Sequence, residues 1–268
     1  MDLPHRKRPP TRFPIEAEHL PRLRRPIVVG NLELMDPYAG DPLNLIFDAD
    51  DTLWDSNIHF LEARDTFVLT CMRAGVTGPT DRIKSAIRDA ELELIQTHGY
   101  GRKPYVLALH QAARGLMTNG EGAWLHAEID QIGDYLIERH CELLPDVDTT
   151  LLELSRRHTL LLLTKGQRDE QLSKLAHTGL MPLFSRIETP HEKNTDAYQR
   201  LIREAELQPE STWMIGNSPR SDINPAVRAG LRAVFIPYPQ TWELEDEELL
   251  VSERIVEIEA FRHLLQLF

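Results

Sequence analysis

A short apolar run that ends in a pair of aspartates constrains this chain most strongly. The run Leu43–Phe47 stops at Asp48, and Asp50 follows two residues later. An apolar run of this length beside turn-forming residues is typical of a buried parallel strand. Two carboxylates at its end can face one small volume, which suits phosphoryl transfer because one can attack phosphorus while the other moves a proton. An acidic turn that caps the next helix also explains these residues.

Four segments with helical periodicity follow this strand. Their apolar residues recur at the spacing of one helix face, glycines separate the segments, and no strand is evident among them. The segments are Phe60–Ala74, Thr80–Thr97, Tyr105–Met117 and Ala123–Leu143. Together they predict an all-helical domain over residues 58–144.

After Pro145, apolar runs alternate with helical segments. The predicted strands cover 160–164, 186–189, 212–216 and 232–236, and the predicted helices cover 170–177, 195–205, 223–229 and 255–267. This alternation predicts an α/β domain with a parallel sheet, made of residues 43–57 and 145–268. Because ligands bind at the carboxyl ends of such strands, we expect the helical insertion to lie above the site as a lid.

Polar residues follow three later strands at the same edge. Thr164 and Lys165 come after the second strand, where a hydroxyl and a backbone N–H can bind phosphate oxygens. Lys193 precedes a helix after the third strand, where a cation can hold a nucleophile ionised. The loop from Gly216 to Asp222 follows the fourth strand, and Asp222 can contribute to a Mg²⁺ site. Each of these features also has a simpler explanation. Thr164 and Lys165 fit a plain turn, Lys193 fits a surface lysine, and the loop to Asp222 fits a turn with a helix cap.

In this order the residues resemble the four motifs of the haloacid dehalogenase superfamily. Those motifs are DxDx[TV], a Ser or Thr, a Lys, and an acidic loop. The matching residues are Asp48, Asp50, Thr52, Thr164, Lys193 and the loop 216–222. The similarity spans about residues 43–240, and the place of the helical insertion resembles that of a C1 cap.

The resemblance implies a Rossmann-like core and a magnesium-dependent phosphatase. Asp48 would be the nucleophile that forms an aspartyl-phosphate, and Asp50 would be the general acid and base. Mg²⁺ would be held by the Asp48 side chain, the Asp50 carbonyl and the fourth loop. Thr164 and Lys193 would contact the phosphate.

One position departs from the superfamily pattern. Many members have Asp directly after the glycine of the fourth motif, whereas this chain has Asn217. The amide oxygen of Asn217 can still bind Mg²⁺ but brings no charge, so either Asp222 carries more of the metal binding or the affinity is low. The haloacid dehalogenases, which use no metal, also have Asn in this region. They lack the second aspartate of the first motif, so Asp50 favours the phosphatase hypothesis.

A loop between two predicted helices is the main candidate for substrate recognition. Its glycines permit a tight turn, and Tyr100, Arg102 and Lys103 can contact an anionic substrate. In C1-capped members a loop of this kind reaches into the site, although a solvated loop between helices has the same composition. Lys165 and Arg220 are further candidates, because they lie beside the predicted phosphate and metal sites.

The distribution of charge limits the partners of this chain. The net charge is −12, but residues 1–28 hold seven Lys and Arg against three Asp and Glu, so the rest of the chain carries −16. An acidic body argues against general nucleic-acid binding. The proline-rich residues 1–42 are expected to form an extension, which is either a basic interaction arm or a solvated, partly flexible segment.

Two further features concern the compartment. No apolar run approaches the roughly 18 residues that a membrane span needs, and no apolar segment follows the basic start as in a secretory signal. The two cysteines, Cys71 and Cys141, do not make a disulfide framework and are expected to be buried apolar residues. We therefore expect a cytoplasmic protein without a membrane partner.

Three functional hypotheses remain at this point. The leading one is Mg²⁺-dependent hydrolysis of a small phosphorylated metabolite. The second is a metal-free, dehalogenase-type hydrolase in which Asp48 attacks carbon. The third is a non-catalytic protein with the same scaffold that binds a partner through its basic arm. A dehydrogenase and an α/β-hydrolase are excluded, because the chain has neither a glycine-rich nucleotide fingerprint after the first strand nor a GxSxG sequence.

Overall fold

A computed structural model describes residues 41–117 and 122–268 of the chain. The expected extension over residues 1–42 therefore lies almost wholly outside the described residues. Six parallel strands form one sheet in the order β3-β2-β1-β4-β5-β6. The strands are Asn44–Phe47 (β1), Thr159–Leu163 (β2), Arg186–Glu188 (β3), Thr212–Gly216 (β4), Arg232–Phe235 (β5) and Ile255–Glu257 (β6). The predicted parallel α/β sheet is confirmed.

Strand β1 lies at the centre of the sheet. Ile46 is paired with Leu161 of β2 on one side and with Met214 of β4 on the other. Side chains alternate between the two faces of a strand, and both faces of β1 are buried: Ile46 packs in one apolar cluster and its neighbours Leu45 and Phe47 pack in the other. This explains why β1 is apolar at successive positions instead of alternating with polar residues.

Nine α-helices belong to the described part of the fold. They are Asn57–Arg73 (α1), Thr80–His98 (α2), Arg102–Leu116 (α3), Gly122–Glu138 (α4), Val147–Leu154 (α5), Arg168–Thr178 (α6), Thr195–Glu204 (α7), Asn224–Arg228 (α8) and Leu264–Leu267 (α9). Helices α1–α4 lie between β1 and β2 in the chain, and we call them the helical insertion. They share an apolar cluster of their own that includes Phe67, Ile83, Leu109 and Ile129. The domain boundaries at residues 58 and 144 stay a prediction.

The structure corrects three of the predicted elements. Helix α4 ends at Glu138 instead of Leu143, because Leu143 pairs with Trp54 in an antiparallel bridge. Helix α5, which begins at Val147, was not predicted. The helix expected over residues 255–267 is wrong, since its first part is strand β6, which pairs with β5. β-branched Ile255 and Val256 favour that extended edge position.

Two further findings bear on the predicted compartment. None of the helices within residues 41–117 and 122–268 is long and apolar enough to cross a bilayer. Cys71 and Cys141 are buried and free, as predicted. Burial raises the pKa of the Cys71 thiol to about 11, so this thiol is protonated and unreactive at neutral pH.

The order of the strands positions the site. The chain leaves β1 and places β2 and β3 on one side of it, then places β4, β5 and β6 on the other. In open parallel sheets, the crevice at such a switch point receives the ligand. Asp48 follows β1 and Asn217 follows β4, so both residues lie at this crevice.

Candidate active site

A cavity of about 610 Å³ lies at the carboxyl ends of the strands, between the sheet and the helical insertion. Most of the predicted site residues line it, together with side chains from the insertion. From the sheet side these are Asp48, Asp50, Thr164, Lys165, Lys193, Asn217 and Asp222, and from the insertion they include Phe60, Ile87, Tyr100 and Tyr105. Thr164 is buried beside Lys165 at the end of β2. The structure thus brings the strand-end residues of four motifs into one space.

Lys193 joins two buried carboxylates from different strands. Its Nζ lies 2.5 Å from Oδ1 of Asp48 and 2.5 Å from Oδ1 of Asp222. All three side chains are almost fully buried. Burial lowers the pKa of Lys193, but the two carboxylates outweigh that effect and raise it above its ordinary value. Lys193 is therefore a permanent cation that holds Asp48 and Asp222 at one point.

The same burial acts in the opposite sense on the two acids. Burial raises the pKa of Asp48, although Lys193 opposes the change. Burial and the nearby Asp48 raise the pKa of Asp222 to about 7. Two carboxylates with only one ammonium between them form a centre that favours additional positive charge.

Thr52 and Asn217 extend this centre with further oxygens. Oγ1 of Thr52 lies 3.0 Å from Oδ2 of Asp48 and 3.1 Å from Oδ1 of Asn217. Nδ2 of Asn217 donates to Oγ1 of Thr241, which turns the amide oxygen of Asn217 toward Asp48. The amide is thus oriented as a ligand would be, with its oxygen on the side of the carboxylates.

The donor set fits a magnesium ion. Carboxylate, amide and carbonyl oxygens are the ligands that Mg²⁺ prefers, and it commonly keeps several waters and takes few protein ligands. Within residues 41–117 and 122–268, no three His, Cys, Asp or Glu side chains form a metal-binding group. The residues suited to this ion are therefore Asp48, Asp222, the Asn217 amide and the backbone of Asp50, which is a set with few charges.

Asp50 accepts hydrogen bonds from three side chains. Oδ1 lies 2.7 Å from Nε1 of Trp54 and 2.8 Å from Nζ of Lys174. Oδ2 lies 2.8 Å from Nε2 of Gln171. Burial alone would raise the pKa of Asp50, but Lys174 and the two neutral donors bring it down to about 2. Asp50 is consequently a carboxylate, which is the form that can accept a proton.

The loop between α2 and α3 reaches the opposite wall of the cavity. The hydroxyl of Tyr100 donates to Oε1 of Glu192 at 2.5 Å, and the ammonium of Lys165 lies 4.3 Å from the centroid of the Tyr100 ring. Lys165 also forms an ion pair with Glu245. Tyr100 and Lys165 both line the cavity, and their assignment to substrate binding stays a prediction.

Three predicted substrate-binding residues do not line the cavity. Arg102 is buried, and its guanidinium donates to the carbonyls of Ile137 and Arg139 because those groups lie unpaired where α4 ends. Lys103 is exposed on the outer face of α3. Arg220 is exposed as well, and it donates to the carbonyl of Leu244. The cavity lining therefore gives no support to their assignment to substrate binding.

The prediction also missed residues that the structure places at the site. Gln171 and Lys174 lie on α6 and line the cavity. Their only sequence signal is that a glutamine and a lysine stand three residues apart beside Leu175, on the inward face of a helix. Asp51 was missed as well. Its carboxylate accepts from the backbone N–H groups of Ser56 and Asn57 and so caps the start of α1.

Solved structures of similar fold include several haloacid dehalogenase-like proteins. A haloacid dehalogenase-like family hydrolase from Xanthomonas campestris is 27% identical, with a TM-score of 0.71, and the match covers 84% of this chain and 93% of that one. A putative hydrolase of this type from Bacillus subtilis, solved with bound magnesium, is 20% identical with a TM-score of 0.57 over 85% and 98% of the two chains. A 2-haloacid dehalogenase from Pseudomonas syringae is 18% identical with a TM-score of 0.54 over 84% and 97%. The last two similarities concern the fold alone.

Sequence comparisons agree with this fold. A phosphoserine phosphatase from Thermus thermophilus is 36% identical over 104 residues, which amount to 37% of this chain and 42% of that protein. This chain therefore matches less than half the length of that relative. The family model described as haloacid dehalogenase-like hydrolase matches residues 44–230. Because this match includes all four motifs and most of the chain, the protein belongs to the haloacid dehalogenase-like hydrolases.

Proposed function

We propose that this protein is a Mg²⁺-dependent phosphatase that hydrolyses a small phosphomonoester. The observation that carries this proposal is the joint contact of Lys193 with Asp48 and Asp222, next to a second strand-end carboxylate at Asp50. A nucleophile, a fixed cation and a proton carrier in one cavity are what phosphoryl transfer through an aspartyl-phosphate requires. The similarity to a protein named phosphoserine phosphatase supports the same class of reaction.

In the first step, a carboxylate oxygen of Asp48 forms a bond to phosphorus. The bond between phosphorus and the leaving oxygen breaks, and its electron pair goes to that oxygen. Asp50 supplies the proton that the leaving oxygen takes up. To act as this acid, Asp50 must exchange its contact with Lys174 for a proton, because Lys174 otherwise holds it ionised.

In the second step, water attacks phosphorus while Asp50 accepts one of its protons. The bond between phosphorus and Asp48 breaks, and its electron pair returns to the Asp48 carboxylate. Lys193 and Thr164 hold the phosphate oxygens in both steps. A bound Mg²⁺ would neutralise negative charge on the phosphoryl group, and Asp48, Asp222, Asn217 and the Asp50 carbonyl would hold it.

The helical insertion is proposed to act as a cap over this reaction. It supplies Phe60, Ile87, Tyr100 and Tyr105 to the cavity wall, so its position determines how much water reaches the phosphate. Residues 58–144 would form this cap and residues 43–57 and 145–268 the core. A cavity of about 610 Å³ accommodates a small metabolite rather than a polymer.

A metal-free dehalogenase is the alternative within the same family. Asp50 argues against it, because attack on carbon with release of halide requires no proton for the leaving group. A dehalogenase therefore needs no general acid at Asp50, whose partly buried carboxylate is held by three donors. The similarity to the 2-haloacid dehalogenase is 18% identity and concerns the fold alone.

Phosphate release from an aryl phosphate tests the proposal. We expect turnover that requires Mg²⁺, stops on addition of a chelator and falls by at least about 10⁴-fold in Asp48→Asn, since that change removes the nucleophile. Asp134→Asn, on the exposed face of α4, is the matched control and should leave turnover unchanged. Halide release from 2-haloacids without metal would favour the dehalogenase, and lack of turnover across a panel of phosphorylated metabolites would favour a binding protein.

A further inference from the structure

Gln171 carries a buried amide oxygen at the centre of the candidate site. Its side chain is 2% exposed and lines the cavity. Nε2 donates to Oδ2 of Asp50 at 2.8 Å and to the carbonyl of Lys165 at 2.9 Å. Within the described part of the chain, Oε1 has no hydrogen-bond partner. Buried acceptors are rarely left unpaired, so this oxygen is suited to accept a hydrogen bond from a bound molecule.

The orientation of the amide is fixed by its two neighbours. An ionised carboxylate and a backbone carbonyl only accept hydrogen bonds. The nitrogen of Gln171 must therefore face Asp50 and the carbonyl of Lys165, and a flipped amide would place two pairs of acceptors against each other. Oε1 is consequently the atom that remains available, on the same amide whose nitrogen contacts the Asp50 carboxylate.

A water molecule has the chemistry that this pair of acceptors demands. It carries two protons, one for each of two neighbouring acceptors. We propose that Gln171 is a catalytic residue of the second step, in which its Oε1 and Asp50 together hold the attacking water. This inference rests on the proposed phosphatase function. As the water oxygen bonds to phosphorus, one proton passes to Asp50, the other stays hydrogen-bonded to Oε1, and the bond from phosphorus to Asp48 breaks with return of its electrons to Asp48.

Lys174 and Gly166 support this arrangement from two sides. The ammonium of Lys174 is 7% exposed and holds the other oxygen of Asp50, so that Oδ2 remains directed at Gln171. Gly166 has a φ of +113°, and a Cβ at that position would lie 2.9 Å from Nε2 of Gln171. The glycine after Lys165 thus leaves the space that the amide occupies. Lys174 is a positioning residue, because it acts through Asp50.

Gln171 is proposed to act only in the second step. The variant Gln171→Met should therefore slow the second step and leave the first unchanged. Methionine has a similar length and no hydrogen-bonding amide. With p-nitrophenyl phosphate, we expect a rapid burst of p-nitrophenol followed by a slow steady rate, since the first step proceeds and the second does not. kcat should fall about 10–100-fold for the aryl phosphate and become equal for aryl and alkyl phosphates, because hydrolysis of the same intermediate then limits both rates. Acid-quenched enzyme should contain more aspartyl-phosphate than wild type.

Controls distinguish this role from a structural one. Gln199→Met, on the exposed face of α7, should show wild-type rates and no burst. Gln171→Asn keeps an amide but withdraws it by one carbon, and it should accumulate the intermediate as well. This variant replaces Gln171→Met in the test if the methionine variant unfolds. A fall in kcat without a burst or trapped intermediate, or unchanged kinetics, would overturn the proposal. If wild-type enzyme neither releases phosphate nor forms the intermediate, the phosphatase function itself fails.

Discussion

The carboxylate of Asp222 packs against the Cα of Gly216, so closely that a Cβ at position 216 would overlap it. Gly216 is the last residue of β4, and Asp222 lies in the turn that follows. The backbone N–H of Ser218 donates to Oδ2 of Asp222 at 2.9 Å, and Lys193 binds the other oxygen. The glycine of the fourth motif is therefore needed for space at the Asp222 carboxylate.

Gly216→Ala should displace Asp222 from Lys193. We expect the free energy of unfolding to fall by about 1–3 kcal/mol, the usual effect of an extra methyl group in a packed interior. Turnover should fall more strongly than stability suggests, because Asp222 moves away from the metal site. Urea unfolding and phosphate release at saturating Mg²⁺ measure the two effects. Gly115→Ala, where a Cβ meets no atom within 4 Å, is the matched control.

Asn217→Asp should strengthen metal binding. The change adds a charge to a ligand set that contains two carboxylates already held near one ammonium. We expect the Mg²⁺ concentration that gives half-maximal activity to fall about tenfold, which corresponds to ~1.4 kcal/mol. A titration of activity with Mg²⁺ measures it. An unchanged midpoint would mean that the Asn217 side chain is no ligand.

Lys174→Met should impair the proton carrier without touching the nucleophile. Burial then dominates the environment of Asp50, and its pKa, now about 2, should rise. We expect a loss of about 1–3 kcal/mol of stability, because Asp50 keeps only its two neutral donors. The native pKa of Asp50 lies below its unfolded value, so the pair stabilises the fold above about pH 4 and this contribution disappears as the pH falls toward 2.

Unfolding experiments at several pH values check the direction in which this stabilisation changes with pH. The wild type and Lys174→Met should differ most above pH 4 and converge as the pH falls toward 2, where Asp50 becomes protonated in both proteins. Lys103→Met, on the exposed face of α3, serves as the matched lysine control and should leave the curve unchanged. A constant difference between the two proteins across the whole pH range would contradict the ion pair.

For Glu91 we expect a pH dependence of stability that is opposite to the one expected for Asp50. This residue of α2 lines the cavity, and burial, followed by repulsion from Glu243, raises the pKa of its carboxyl to about 8. The native state therefore keeps a proton that the unfolded chain releases above its ordinary pKa near 4.5. Stability should fall as the pH rises from about 4.5 to 8, and the full penalty applies above 8.

Glu91→Gln removes this penalty. Because the Glu91 side chain keeps partial contact with solvent, we expect the variant to be about 1–2 kcal/mol more stable than wild type at pH 8.5 and equal to it at pH 4. Thermal unfolding at the two pH values measures the difference. Glu62→Gln, on the exposed face of α1, should show no such dependence.

The strand-end residues could be predicted because they obey a rule that links local pattern to position. A buried run such as Leu43–Phe47 has to enter the sheet, and the carboxyl ends of parallel strands meet at one edge. The pattern therefore correctly predicts that Asp48, Thr164 and Asn217 lie close together. Which role each of them plays in the reaction stays a prediction.

The errors concern residues whose partners are distant in the chain. Arg102 resembles a substrate ligand in sequence, but its partners are carbonyls 35 and 37 residues away. Lys174 resembles any helical lysine until α6 packs beside β1, 124 residues from Asp50 in sequence. The segment 255–257 has an apolar pattern compatible with helix, and the free edge of β5 determines its extended state. Tertiary contacts decided all three cases.

The hydrogen bonds of Arg102 have a consequence for engineering. Arg102 begins α3 yet closes the last carbonyls of α4, and its Nε lies 3.4 Å from Glu170 on α6. A chimera that imports only α2 and α3 from a relative would replace Arg102 and could leave the carbonyls of Ile137 and Arg139 without their donor. Grafts intended to change substrate preference should therefore exchange α3 and α4 together and retain Glu170 on α6.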